Sequence, residues 1–190
     1  MLTELIKKCR SYRRFYQNVR LSDNDLLEMI ENARLSASAG NFQSLKYCFS
    51  NTNETNELIF SHLAWAGYLK NWKGPEEGER PSAYIIMLND TDITKNYFCD
   101  HGIASQNILL TAVEKGFGGC IIASVNRDKL HNELAIPLSY EIIHVLALGK
   151  PKEIIIIEKV GSMGDIKYWR DTEQVHHVPK RSLEDIVLHF

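Results

Sequence analysis

A chain of 190 residues, 44% hydrophobic and 24% charged, is long and apolar enough to bury one sizeable core. Its net charge of −2 at pH 7 argues against broad nucleic-acid binding, and no apolar run approaches the roughly 18 residues that a membrane span needs. Cys9, Cys48, Cys99 and Cys120 lie far apart with no C-x-x-C pair, which disfavours a zinc, iron–sulfur or dithiol site and leads us to expect reduced thiols in the cytosol.

The start, Met1 to Lys8, has no uninterrupted apolar h-region, so no secretory signal is expected. A short helical pattern (Leu2, Leu5, Ile6) runs into Lys8-Cys9-Arg10-Ser11-Tyr12-Arg13-Arg14-Phe15 and a turn-like Tyr16-Gln17-Asn18. Between Lys7 and Arg20 there are six cations and no carboxylate, so nothing nearby in sequence neutralises them. Arginine forks bind phosphate oxygens in pairs, and Ser11 adds a hydroxyl between two of them. That suits a phosphorylated ligand; a solvated basic helix end, favourable at a C-terminal dipole, is the competing account.

Ser22 with Asp25 three residues on reads as a capping pattern, and Leu26, Leu27, Ile30 and Ala33 then predict a helix to about Leu35. Residues 36–43 form a small-residue turn ending in two amides, and 46–50 a short strand. A polar turn is expected at 51–56 and a helix at 57–68. The Gly- and Pro-containing stretch 71–81 is a surface loop and a candidate lid, where Trp72, Glu76, Glu77 and Arg80 would select substrate; an ordinary solvated connection fits equally. Residues 83–88 read as a buried strand, and 100–115 as a long helix with Ile103, Ala104, Leu110 and Val113 on its core side. Gly116 to Gly119 ends that helix. Strands follow at 120–125 and 141–148, with a short helix at 127–134 between them, and Gly149-Lys150-Pro151 closes the second strand. Residues 154–157 are an extended apolar run, 161–178 look irregular and polar, and Ser182-Leu183-Glu184-Asp185 starts a possible terminal helix over 182–189. The sum is α+β in one domain spanning 1–190.

Three stretches carry chemistry. Ser38-Ala39-Gly40-Asn41-Phe42-Gln43 exposes backbone with little side chain over it, while Asn41 and Gln43 offer both donors and acceptors, as the pyrimidine edge of a flavin requires. A helix C-terminal turn in which Gly and Asn only supply positive φ explains the same residues. Gly116-Phe117-Gly118-Gly119-Cys120 lies between a helix and a strand, the wrong way round for a dinucleotide cradle, and leads into small residues whose amides can face a ligand. In His176-His177-Val178-Pro179-Lys180-Arg181, adjacent histidines point to different sides, which disfavours a shared metal, and Lys180 and Arg181 can serve phosphate or simply form a basic tail. No triad, Walker loop or metalloprotease motif is present, and nothing nominates a base for Cys120. An enzyme without such side-chain chemistry borrows it from a cofactor.

Together these stretches resemble the nitroreductase family of FMN flavoproteins. Arg10-Ser11-Tyr12-Arg13-Arg14-Phe15 is similar to its R-S-x-R-x-F motif, and Ser38-Ala39-Gly40-Asn41-Phe42-Gln43 to its P-S-A-G-N-x-Q-P-W turn. Gly116-Phe117-Gly118-Gly119-Cys120 matches its G-L-G-x-C segment, and Ala147-Leu148-Gly149-Lys150-Pro151 its G-x-P strand end. The departures are Cys9 in place of the leading Arg, Ala37 in place of Pro, and Ser44-Leu45 in place of Pro-Trp.

The resemblance implies an α+β fold with a mostly antiparallel sheet flanked by helices, and FMN at a homodimer interface. It gives Arg10, Ser11 and Arg13 the flavin's phosphate, ribityl chain and N1–C2 edge. Ser38 and Ala39 would come from the partner subunit, with Asn41 and Gln43 at the ring's polar edge. The backbone of Ile122, Ala123 and Ser124 would lie near N5, and Lys180 and Arg181 (or His177) would complete the phosphate site. The function implied is a cytoplasmic FMN-dependent oxidoreductase passing hydride from NADH or NADPH to a small-molecule acceptor, a nitroaromatic, quinone or activated alkene, by a ping-pong cycle. No side chain is nominated as catalytic, and no metal, membrane or nucleic acid is expected. A non-catalytic FMN-binding or storage protein, and specialised flavin chemistry such as dehalogenation or flavin breakdown, are the alternatives.

Overall fold

The computed structural model describes residues 1–189. In chain order the elements are α1 (Leu2–Lys8), β1 (Phe15–Tyr16), α2 (Asp23–Arg34), a 3-10 turn (Ala39–Asn41), β2 (Leu45–Ser50), α3 (Asn53–Ser61), β3 (Ala83–Asp90) and α4 (Asp100–Glu114). Then follow β4 (Gly118–Ile122), α5 (Arg127–Glu133), β5 (Tyr140–Pro151), β6 (Ile155–Lys159), β7 (Trp169–Arg170) and β8 (His176–Lys180). The first five strands make one wholly antiparallel sheet: β2 pairs β3, β3 pairs β5, and β5 also pairs β4 and β1. The last three make a second, smaller sheet in which β6 and β8 run parallel. The architecture is α+β, with helices on both faces of the main sheet.

β3 shows why. Ala83, Ile85 and Met87 pack against Leu26, Met29 and Ala33 of α2 and Ala104, Ile108 and Ala112 of α4, while Tyr84, Ile86 and Leu88 meet Ile59 of α3 and Leu130 of α5. Successive side chains leave a strand on opposite faces. A strand covered on both faces therefore reads as an unbroken apolar run. One irregularity interrupts its pairing: Met87 faces His144 but Leu88 faces Ile142, so β5 carries an extra residue there. Ile142 and Val145, three apart, consequently share a face.

The α2 cap forms as the sequence indicates, Ser22 Oγ accepting from the Asp25 N–H and Asp25 accepting in return from the Ser22 N–H. The buried stripe is shifted, however: Leu26, Met29 and Ala33 face the core and Leu27 faces out. On α4 likewise Ile103 is exposed, and Ala104, Ile108, Leu109 and Ala112 are inside.

Boundaries moved where tertiary pairing competes with helical periodicity. The helix expected at 57–68 is Asn53–Ser61, because the chain leaves it to pair with the segment after β4: Leu63 bridges Val125, and the Ala64 N–H donates to Ser124 O at 2.9 Å. The strand expected at 120–125 is Gly118–Ile122, since Gly118 and Gly119 are strand residues rather than a turn. A Cβ on Gly119 would lie 2.6 Å from Ala147 O, and one on Gly118 2.6 Å from the Tyr12 ring. Gly149-Lys150-Pro151 does not close β5; it continues the strand to pair with β1. The 154–157 run is β6, Ile155–Lys159, and the expected irregular segment 161–178 contains β7 and the start of β8. Residues 182–189 form no helix. Asp185 Oδ2 accepts from the N–H and hydroxyl of Ser182, but Leu183, Ile186 and Leu188 stay exposed, and a short helix without a buried face is unstable.

The loop 71–81 is fastened rather than free. Glu79 bonds Arg14 and Lys152, the Gln17 amide oxygen accepts from the N–H of Gly78 and Arg80, and Trp72 packs edge-on against Trp65 under the Arg170 guanidinium. A lid hinged at this loop is not what the packing supports.

Candidate functional site

Past α1 the basic segment runs along the outer edge of β4. Ser11 bridges Gly119, and the Tyr12 N–H donates to Gly119 O at 3.0 Å. At the other end of this edge the chain after α3 covers Ser124 and Val125. Between these two contacts, among the described residues, the outer edge of β4 has no strand partner. Here Arg13, Ala64, Trp65, Ala66 and residues 120–124 line a cavity of about 110 Å³.

The cations are not all free, contrary to the sequence expectation. Lys7 pairs with Glu4, Arg20 with Asn51 and Asn53, and Arg14 with Glu79 through both arms of its guanidinium. Arg14, with help from Lys152, pulls the Glu79 carboxyl down to about 2. Among the described residues the Arg10 and Arg13 side chains have no carboxylate partner. Arg10 Nη2 donates to Ile6 O at 2.7 Å while its buried Nε has no acceptor. An arginine nitrogen shut away from water without an acceptor is an unmet demand for an anionic or carbonyl oxygen.

Arg13 is fixed from behind. Its N–H and that of Arg14 donate to the Glu153 carboxylate, which is fully buried and also accepts from Arg170 Nη2 at 2.9 Å. Its Nη1 donates to Ser11 O at 3.1 Å and lies 3.4 Å from His176 Nε2, and its guanidinium carbon sits 4.8 Å from the centroid of Tyr168. Burial, with Arg13 and Arg170 nearby, pulls the His176 imidazole down to about 4. Burial pushes the Cys120 thiol up, so it is no nucleophile at neutral pH.

The small-residue turn stands apart. Ser38 Oγ donates to Asp100 at 2.6 Å and accepts from the Gln43 N–H, and the Ala39 N–H donates to the other Asp100 oxygen. Gly40, Asn41 and Gln43 have φ of 54°, 56° and 53°, and the Asn41 and Gln43 side chains are exposed. The turn borders its own cavity of about 230 Å³, lined in part by Ala37, Ser38, Gln43 and Tyr47, whose hydroxyl is pushed up to about 12 by burial and by Asp100. Lys180 and Arg181 border a third, open groove with Lys159 and Glu184 on the second sheet. His177 spends both ring nitrogens on Glu158 and Asp171 and stacks on Trp169 at 4.1 Å.

Within one chain, then, Arg13 lines one cavity with Ile122, Ala123 and Ser124, and Ser11 bridges Gly119 at the start of the same strand, with Arg10 next to it in the chain. Ser38, Ala39, Asn41 and Gln43 do not join them, nor do Lys180 and Arg181. Sequence reasoning missed Trp65, hidden by the over-long helix, and Glu153, Tyr168 and Arg170, which lay in or beside a stretch read as irregular; His176 was weighed only as a metal ligand beside His177. The usable signal was a Tyr and an Arg among polar residues, which periodicity does not weigh.

Among the described residues no helix is long and apolar enough to cross a membrane. The model of the Nitroreductase family matches residues 6–150, which leaves β6, β7 and β8 outside it. A protein of Archaeoglobus fulgidus, described as a candidate NADH dehydrogenase/NAD(P)H nitroreductase, is 26% identical over 148 residues, 74% of this chain and 80% of that one. A candidate nitroreductase of Exiguobacterium sibiricum, solved in complex with FMN, superposes with a TM-score of 0.66 at 17% identity over 80% of this chain and 89% of its own. CLA-ER, an enone reductase of gut-bacterial fatty acid saturation, gives a TM-score of 0.66 at 18% identity over the same shares, 80% and 89%. The fold is theirs, the family match takes in the basic segment, the small-residue turn and the open edge of β4, and the chain belongs to the nitroreductase family.

Proposed function

We propose that this chain is an FMN-dependent NAD(P)H oxidoreductase of the cytoplasm that reduces a nitroaromatic, quinone or activated alkene. The observation that carries the reading is the pair Arg10 and Arg13, without carboxylate partners among the described residues, at one end of an open strand edge. FMN fits this set: its phosphate would meet the Arg10 guanidinium, once it swings out to free its orphaned Nε, and the exposed Ser11 hydroxyl, and its polar ring edge would meet Arg13 and the backbone at Ile122, Ala123 and Ser124. The cavity of about 110 Å³ is well below the roughly 300 Å³ of ordinary ligand pockets, so a second surface must cover a cofactor there.

In a homodimer that surface is the partner's small-residue turn, with Ser38, Ala39, Asn41 and Gln43. Lys180 stands four residues along β8 from His176, about 13 Å at strand rise, and in this reading Lys180 and Arg181 reach the phosphate from the partner subunit. We take 1–190 as one domain in this reading, because Glu153 and His176 tie the second sheet to Arg13.

Bound FMN supplies the acceptance and release of a hydride. The protein's part is to bind and orient: Arg13 would place positive charge beside the flavin's polar edge, and the open edge beside Trp65 would admit donor and acceptor in turn, a ping-pong cycle. Reacting atoms must come within about 3–3.5 Å. The names of the archaeal relative and of the enone reductase support the donor and the alkene acceptor.

The test is an anaerobic absorbance series on purified protein reconstituted with FMN, adding NADH and then NADPH. Bleaching of the flavin band within seconds, and its return on adding a quinone, is the expected result. A band that persists with both nucleotides would overturn the oxidoreductase and leave a flavin-binding protein.

A further inference from the structure

Residues beyond the family match reach back to Arg13. Glu153 takes the backbone N–H groups of Arg13 and Arg14, and is held in turn by Arg170, whose guanidinium lies 4.3 Å over the Trp72 ring. Tyr168 lies under the Arg13 guanidinium and is itself packed between Tyr68 and His176, at centroid distances of 4.9 and 5.2 Å. His176 Nε2 sits 3.4 Å from Arg13 Nη1. A guanidinium only donates, so Nε2 must be the acceptor and the ring neutral, with its proton on Nδ1.

Resting on the flavin reading above, we propose that Tyr168 and His176 are positioning residues. They hold the Arg13 guanidinium at the open edge of β4, and through it they set the reduction potential of the flavin bound there. Neither touches the cavity; each acts through Arg13.

The cost borne by His176 is the reason to assign it a role. The residue is fully buried, and among the described residues its Nδ1 has no hydrogen-bond partner. An unmet buried donor costs roughly 1–3 kcal/mol. A phenylalanine would pack the same space without that loss, so packing alone does not account for an imidazole. What the imidazole adds is one acceptor facing Arg13, on a residue that burial keeps uncharged beside two arginines. Tyr168 adds a π face, where a cation is held by the ring quadrupole. Hydride transfer brings two electrons and one proton to the flavin, leaving one unit of negative charge, and a cation held in a fixed place stabilises that charge more than a mobile one, because no reorganisation is needed.

The experiment measures the midpoint potential of bound FMN against a reference dye, together with the FMN dissociation constant, in the full-length protein. His176→Phe keeps the ring volume and removes the acceptor; His176→Gln returns an acceptor oxygen near the Nε2 position; Tyr168→Leu, at a partly exposed site, removes the π face with less risk to folding. The expected result is a tenfold loss of preference for the reduced form in His176→Phe and Tyr168→Leu, about 30 mV more negative for a two-electron couple, with recovery in His176→Gln. In an Arg13→Gln background the same changes should do nothing further. Unchanged potentials in both variants, or equal shifts with and without Arg13, would overturn the proposal while leaving FMN binding intact. Wild-type protein that binds no FMN would instead overturn the flavin reading, and this proposal with it.

Discussion

In the body of the molecule, β3 and β5 bury Ile85, Met87, Leu146 and Leu148 against helices α2 and α4. From residue 151 onward the chain is fastened by Glu153, Arg170 and His176, while Ile154, Ile156, Leu183, Ile186 and Leu188 face outward. Apolar burial is non-directional and tolerates small errors of fit. A buried ion pair holds only in one geometry, and losing one member leaves the other uncompensated. The body is thus built for stability, and the appended sheet to hold particular groups in particular places.

The largest effect expected is on the tail's anchor. Glu153→Ala leaves Arg170 and two backbone N–H groups without their acceptor, and should cost about 3–5 kcal/mol in urea unfolding. A loss under about 1 kcal/mol would mean that the pair is effectively solvated, and the contrast with the body would fail. Leu146→Ala, the body's counterpart, should cost about 2–5 kcal/mol through transfer and cavity terms.

Acid should sharpen the comparison. His144 in the body and His176 in the tail both have pKa values pulled down to about 4, mainly by burial. The unfolded chain binds protons at these sites from about pH 6.5 downward while the folded chain does not, so stability falls as pH drops from about 6.5 to 4. Each group contributes on the order of 3 kcal/mol to that loss. Urea midpoints at pH 7 and pH 4.5 should therefore converge in part in His176→Phe, with the share of His144 remaining. A pH profile identical to wild type would place His176 in solvent.

Smaller again is the α2 cap: Ser22→Ala should lose about 1 kcal/mol. Least of all is Leu183→Ala on the tail's outer face, expected within about 0.5 kcal/mol in the thermal midpoint analysis; a larger loss would show that this face is covered.

The body was legible because its signals are local. The Ser22–Asp25 cap and the apolar run of β3 follow from a few neighbouring residues, and the basic segment and β4 could be placed side by side through their resemblance. What the sequence hid are competitions settled at long range. Nothing near Trp65 says that Leu63 will bridge Val125 rather than continue α3, and nothing near Arg14 says that Glu79 will neutralise it. The pairing of Ile155–Lys159 with His176–Lys180 links segments about twenty residues apart through a stretch with no periodicity, so it was invisible to pattern reading. The same stretch holds Tyr168, which was not singled out, and His176, which was weighed only as a metal ligand, so their link to Arg13 was missed.

The most direct measurement is a titration of flavin-free protein with FMN, followed by quenching of flavin fluorescence, in the wild type and in an Arg10→Ala, Arg13→Ala double variant. Charge-assisted bonds contribute roughly 1.5–3 kcal/mol each. Saturation at one FMN per chain, weakened at least about 100-fold in the double variant, is the result expected if the open edge of β4 holds the cofactor. Absence of saturable binding, or a double variant that binds as tightly as wild type, would contradict the account.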